Sequence, residues 1–173
     1  MNVKAEVPLL RNITAMKDSI KEIKPGIGLG QLKFGMERDD VNSLLGEPTR
    51  VDTYSYSAEG DEMTEDWFYD EFGLSVSFDQ EEGWKLTTVS IEKAGYLFGD
   101  VDLIGKTESE LLEILKAKGF DDLEDDLLAD EFGEEQQLIS SEEQCVNFWL
   151  VDKKVNEVQW SPLFIDEDTI KWP

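Results

Sequence analysis

The chain has 173 residues, 40% hydrophobic and 10% aromatic, which is enough to bury a core and too apolar for a disordered segment. Forty acidic side chains against sixteen basic ones leave a net charge of −24, which repels nucleic acid and anionic membrane and attracts a basic protein. Histidine is absent and Cys145 is the one cysteine, which excludes Ser–His and Cys–His catalysis, an internal disulfide and most zinc sites.

The acidity is uneven, since residues 1–30 carry a slight excess of base. No apolar run reaches the roughly 20 residues of a membrane-spanning helix. The first residues lack the apolar region of a signal peptide, so the expected location is the cytoplasm. Residues 12–24 place Ile13, Met16, Ile20 and Ile23 on one stripe, which predicts an amphipathic helix ended by Pro25 and Gly26. Such a helix either straps the back of a sheet or pairs with a second copy of the chain as a homodimer. The glycines at 26, 28 and 30 form a lead-in, and without a following Lys-Ser/Thr they do not make a phosphate loop.

Two stretches then resemble each other. KFGMERDDVNSLLG (33–46) and LIGKTESELLEILKAKG (103–119) each run from a glycine into a short helix and stop at another glycine, Gly46 or Gly119. Pro48 blocks continuation of the first helix, and Thr107 with Glu110 has capping-box spacing at the second.

Strand patterns follow the first helix. RVDTYSYS (50–57) alternates with Tyr54 and Tyr56 on one face, AEGDEMTED (58–66) reads as an acidic loop, and LSVSFD and WKLTTVSIE flank a turn at 80–83. After the second helix, residues 120–135 hold nine carboxylates in sixteen positions. They read as a loop, or as a short acidic helix with Leu123, Leu127 and Leu128 inward. A hairpin closes the pattern, with Val146, Phe148, Leu150, Val158 and Trp160 toward the core and Asn147 and Trp149 on the other face. Cys145, at the mouth of this apolar strand, reads as a buried structural thiol.

The fold class predicted is α+β: two tandem helix-plus-antiparallel-sheet repeats with an extra N-terminal helix. The expected divisions are 1–30 for that helix and the glycine-rich lead-in, 31–95 for the first repeat, and 96–173 for the second repeat with its C-terminal tail.

The pattern Gly35, Met36, Asp40, Val41, Leu44, Leu45, Gly46, Pro48 resembles the helix–sheet unit of the small-protein-A family of outer-membrane-assembly lipoproteins. Gly105, Thr107, Glu110, Leu111, Ile114 and Leu115 match it a second time, and the tandem arrangement is similar to the β-lactamase-inhibitor-protein-like fold. The resemblance implies a curved sheet that grips another protein. The lipidation cysteine and the disulfides of those families are missing here, so the envelope and secreted roles do not carry over. In its acidity and size the chain is similar in style to immunity proteins, which neutralise a toxin.

Calcium loops need D-x-[DN]-x-[DN]-G, which neither acidic tract supplies, and no cofactor or metal is expected. A hydrolase would need two carboxylates held across a pocket, one with a raised pKa. The candidate binding residues are a negative collar of Asp61, Glu62, Glu65, Asp66, Asp125, Asp126 and Glu131 around the aromatic anchors Tyr54, Tyr56, Trp67, Trp84 and Trp149. The expected function is therefore non-enzymatic: an immunity protein or inhibitor that neutralises a basic partner such as a toxin. The alternative is a structural or assembly protein that self-associates through its N-terminal helix.

Overall fold

The computed structural model describes residues 15–129 and 135–173. Its centre is one antiparallel sheet of eight strands: β4 (Arg50–Ser55), β5 (Met63–Tyr69), β6 (Leu74–Asp79), β7 (Lys85–Ile91), β8 (Leu123–Ala129), β9 (Glu135–Ser141), β10 (Val146–Val151) and β11 (Lys154–Trp160). Their spatial order is β4-β5-β6-β7-β11-β10-β9-β8, so two meanders meet through their last strands. Before them lies a small three-stranded sheet, β1 (Ile23–Lys24), β2 (Gly28–Leu29) and β3 (Leu32–Lys33), and after them a short hairpin, β12 (Leu163–Phe164) and β13 (Ile170–Lys171).

This architecture corrects the α+β expectation. The chain is mostly β, and the two predicted helix-plus-sheet repeats are replaced by a single continuous sheet. The reason is the seam, where Val89, Ser90 and Ile91 of β7 pair with Trp160, Gln159 and Val158 of β11. One register row crosses all eight strands: Val51, Trp67, Val76, Val89, Trp160, Val146, Ser141, Leu123. Pairing the last strands of the two meanders hides two edges that would otherwise stand open to aggregation.

The helices are short. Besides one helical turn at residues 15–19, the described helices are α1 (Arg38–Leu45) and α2 (Glu108–Ala117), where the glycine-to-glycine spacing places them. At α1 the Glu37 backbone N–H donates to Asp40 Oδ2 at 3.3 Å. At α2, Thr107 Oγ1 accepts from the Glu110 N–H while the Thr107 N–H donates to Glu110 Oε2 at 2.8 Å. The Thr107 N–H and hydroxyl both donate to the Glu110 carboxyl and hold it below its ordinary range. Val41, Leu45, Leu111 and Leu115 are buried, and they join Val76, Phe78, Val89, Phe148 and Val158 in one core.

The predicted 12–24 helix is also corrected. Its first three residues lie outside the described segments, helix covers 15–19, and Ile23 and Lys24 are strand β1. Ile20 and Ile23 are buried as the stripe required, but Ile23 reaches the core from an extended backbone because its N–H donates to Leu97 O. The lead-in glycines shape the small sheet. Gly30 sits at φ +57°, and a Cβ there would lie 2.2 Å from Ser19 O and 2.8 Å from Ile20 Cα. Gly30→Ala should therefore cost about 1–3 kcal/mol in chemical denaturation, because backbone must move on both sides; a neutral result would contradict this packing.

The acidic tract 120–135 gives a third correction. Residues 123–129 are neither loop nor helix but the edge strand β8, paired with β9 throughout. Leu127 is 77% exposed and Leu128 is also exposed, so only Leu123 packs on the core. An edge strand that carries Glu124, Asp125 and Asp126 resists pairing with a second acidic edge.

Candidate protein-binding face

The eight-stranded sheet has two unlike faces. Helices and the small sheet cover one. On the other, a register row crosses every strand as Arg50, Phe68, Ser75, Ser90, Gln159, Asn147, Ser140 and Glu124. Small and polar side chains of this kind belong against solvent. The one large apolar member, Phe68, lies under the Arg50 guanidinium, 3.8 Å from the ring centroid.

Two clefts on this polar face flank the β12–β13 hairpin, one on each side, while a smaller hollow of about 300 Å³ lies away from it between Arg50, Phe68, Ser75 and Lys93. The first holds about 510 Å³ and lies between Tyr54 and Tyr56 of the β4 side, Ser77 and Thr88 on its floor, and Phe164 of the hairpin. Its carboxylates are Glu62, Asp79, Glu81, Glu82 and Asp168. The second cleft, about 770 Å³, runs past Asn147 and Cys145 and contains Glu124, Glu142, Glu143, Asp166 and Glu167. Among the described residues, no lysine or arginine lines either cleft. Between them the hairpin raises Phe164 and Ile165, which are 50% and 68% exposed.

The hairpin is anchored at both ends. Pro162 forms a parallel bridge with Gly26, and Leu163 packs where a Cβ on Gly26 would stand. Past β13, Trp172 rests against Gly35 with the Lys85 ammonium 5.2 Å from its ring.

Three of the predicted anchors occupy this open face. Tyr54 and Tyr56 meet edge to face at 5.0 Å between centroids. Trp149 is half-buried between its register neighbours Leu138 and Glu157. Asp66 lies beneath Tyr54 and accepts its hydroxyl at 3.0 Å, while Asp126 shares a register row with Trp149 on the far side. Burial and the neighbouring Tyr56 hydroxyl push the Tyr54 pKa far up, so this phenol stays a donor. Asp61 and Glu62 stand in the loop between β4 and β5, where Ser57 Oγ donates to Asp61 at 2.8 Å.

The other predicted residues do not gather there. Trp67 faces the helices, packed on Phe78 at 4.9 Å, and its indole N–H donates to Glu65. Glu65 also pairs with Arg38 at 3.2 Å, and the Arg38 guanidinium lies 4.7 Å from the Trp84 ring centroid. Asp125 points to the helix side and accepts from Gln137. Glu131 lies outside the described residues. The collar is thus split between the two faces.

No protein family matches this chain. No curated protein matches it either. Among solved structures, it is similar to an extracellular protein containing an SCP domain from Bacillus anthracis str. Ames, with 15% identity and a TM-score of 0.43. The match covers 74% of this chain, which spans 43% of the length of that protein.

Several groups on the open face were not foreseen from the sequence. Asp79 accepts from Thr64 and Thr87, at 2.6 Å each, across three strands. Glu157 accepts from Ser90, and burial raises its pKa, with Glu92 adding to the rise. Alternation marked these positions as outward but could not show which polar pairs meet. Cys145 is half-buried rather than enclosed, at a turn where its φ is +51°, and burial raises its thiol pKa. A thiol held protonated is a poor nucleophile. Asp122 stands nearby, its carboxyl held low by the Glu143 N–H.

Glu157 makes the stability depend on pH in a definite sense. Its pKa is higher folded than unfolded, so the folded state retains the proton longer, and stability is lost as pH rises through the window above the ordinary 4.5. Glu157→Gln should accordingly gain on the native protein as pH rises from about 4 to 8, read by denaturant titration. A difference that does not change with pH would place Glu157 in water, and one of opposite sign would mean that the fold favours its charged form.

Proposed function

We propose that this protein is a non-enzymatic protein-binding module that acts in the cytoplasm, as an immunity protein or inhibitor, and neutralises a basic partner such as a toxin. The open face of the sheet is its binding face. One observation carries the reading: the two clefts that flank the exposed apolar hairpin are lined by carboxylates and, among the described residues, by no lysine or arginine. The described ion pairs lie outside both clefts: Lys24–Glu22 and Arg38–Glu65 away from the open face, and Arg50–Asp52 on its outer strand β4.

Physical reasons favour a protein over a small substrate. A wide polar floor with an apolar ridge matches a macromolecular surface, where aromatic anchors supply affinity and charge supplies speed. Complementary charge raises association rates to roughly 10⁸–10⁹ M⁻¹s⁻¹ at low salt, and an inhibitor of a toxin profits from that speed. The basic partner itself is most readily sought in the adjacent open reading frame. Co-expression should show that the neighbouring product is toxic alone, harmless together with this chain, and recovered with it as a complex that forms more slowly in salt. Binding that ionic strength leaves unchanged would remove the electrostatic basis of the reading.

A further inference from the structure

We propose that the first cleft is the seat of an arginine side chain of the protein partner, with Tyr56 as its stacking surface. The proposal rests on the reading of the open face as a binding face, and it assigns the chemistry of one position within it. Tyr56 is 84% exposed, yet its ring is held by edge contact with Tyr54, and the Tyr54 hydroxyl is tied to Asp66. An aromatic ring fixed at the rim of a cleft and left bare is a platform for a cation.

Charge complementarity names the occupant. The cleft carboxylates come from three separate elements: Glu62 from the loop before β5, Glu81 and Glu82 from the β6–β7 turn, and Asp168 from the C-terminal hairpin. None of these four has an ion-pair partner among the described residues. Asp79 differs, because Thr64 and Thr87 occupy both its oxygens and fix it as part of the wall. A guanidinium offers five N–H donors around a planar edge and an apolar face above it, so it can meet carboxylates on several walls while stacking on a phenol. A lysine ammonium is a compact, strongly hydrated point charge and gains less from such a spread.

The probes are hexa-arginine and hexa-lysine peptides, titrated into the ¹⁵N-labelled full chain and followed by NMR. The expected result is a set of shifts centred on residues 54–56, 62–64, 77–88 and 168–170, with hexa-arginine bound about fivefold tighter than hexa-lysine. Tyr56→Ala leaves the buried core untouched and should bring the two peptides to parity. Glu81→Gln with Glu82→Gln should weaken both. Equal affinities in the native protein, or a preference that survives Tyr56→Ala, would overturn the assignment. Shifts centred on the second cleft would overturn it while leaving the open face as the binding face. Shifts on the helix side would overturn both.

Discussion

Trp160→Ala is expected to lower the stability by about 3–5 kcal/mol. Trp160 is 1% exposed and stands on β11 at the seam, paired with Val89 on one side and Val146 on the other. Its indole N–H also donates to Gly28 O at 3.0 Å, which ties the small N-terminal sheet to the large one. Truncation would remove a large packed ring and orphan a buried carbonyl, and the sheet on either side resists collapse into the space. Because domains of this size are stable by only about 5–15 kcal/mol, the variant should unfold at much lower urea, with an unchanged slope if unfolding remains two-state. Trp160→Phe keeps most of the volume and should lose less. A cost below about 1 kcal/mol for Trp160→Ala would mean that the two meanders are not joined as described.

The second large effect concerns association. Reversing Glu81, Glu142, Glu143 and Glu167 to lysine changes the charge of both clefts without touching a buried side chain. The rate at which a basic partner associates should fall by about 10–10³-fold at low salt, and by much less at high salt. Reversing four other exposed carboxylates, Asp18, Glu47, Asp100 and Glu113, changes the net charge equally but leaves both clefts intact. That control should retain most of the rate. Equal losses in the two variants would mean that net charge alone steers the encounter and that the open face has no special part.

The two helices and the facing of several strands were legible in particular residues, while the fold class was not. Gly35 to Gly46 and Gly105 to Gly119 bracketed the two helices, because a glycine at positive φ ends a helix at little cost. Alternation in Leu74–Phe78 and Val146–Leu150 assigned both faces of the sheet correctly. What alternation cannot encode is which edges meet. Valines in β7 and β11 look the same whether their strands end two sheets or join one. Nor could it identify β8, since an edge strand that reaches solvent on both faces carries no apolar period, and nine carboxylates concealed the rest.

The candidate site was legible in part. Phase put Tyr54 and Tyr56 on one shared face and Trp149 opposite the core, and the open face bears all three. Trp67 and Trp84 were grouped with them on composition alone, but an aromatic next to an acid in sequence can face the opposite side of the sheet. Trp67 and Asp66 are neighbours in the chain and stand on opposite faces. The C-terminal hairpin, which divides the face into two clefts, was noted only as a tail, because two-residue strands leave no periodic signal.

The most direct test of the binding face is rescue in the co-expression assay, comparing three forms of this protein. Native protein and the control reversed at Asp18, Glu47, Asp100 and Glu113 should both protect cells from the neighbouring gene product. The variant reversed at Glu81, Glu142, Glu143 and Glu167 should fail to protect although it folds. Protection by that variant equal to the native protein, or a neighbouring product that is harmless and forms no complex, would contradict the central claim.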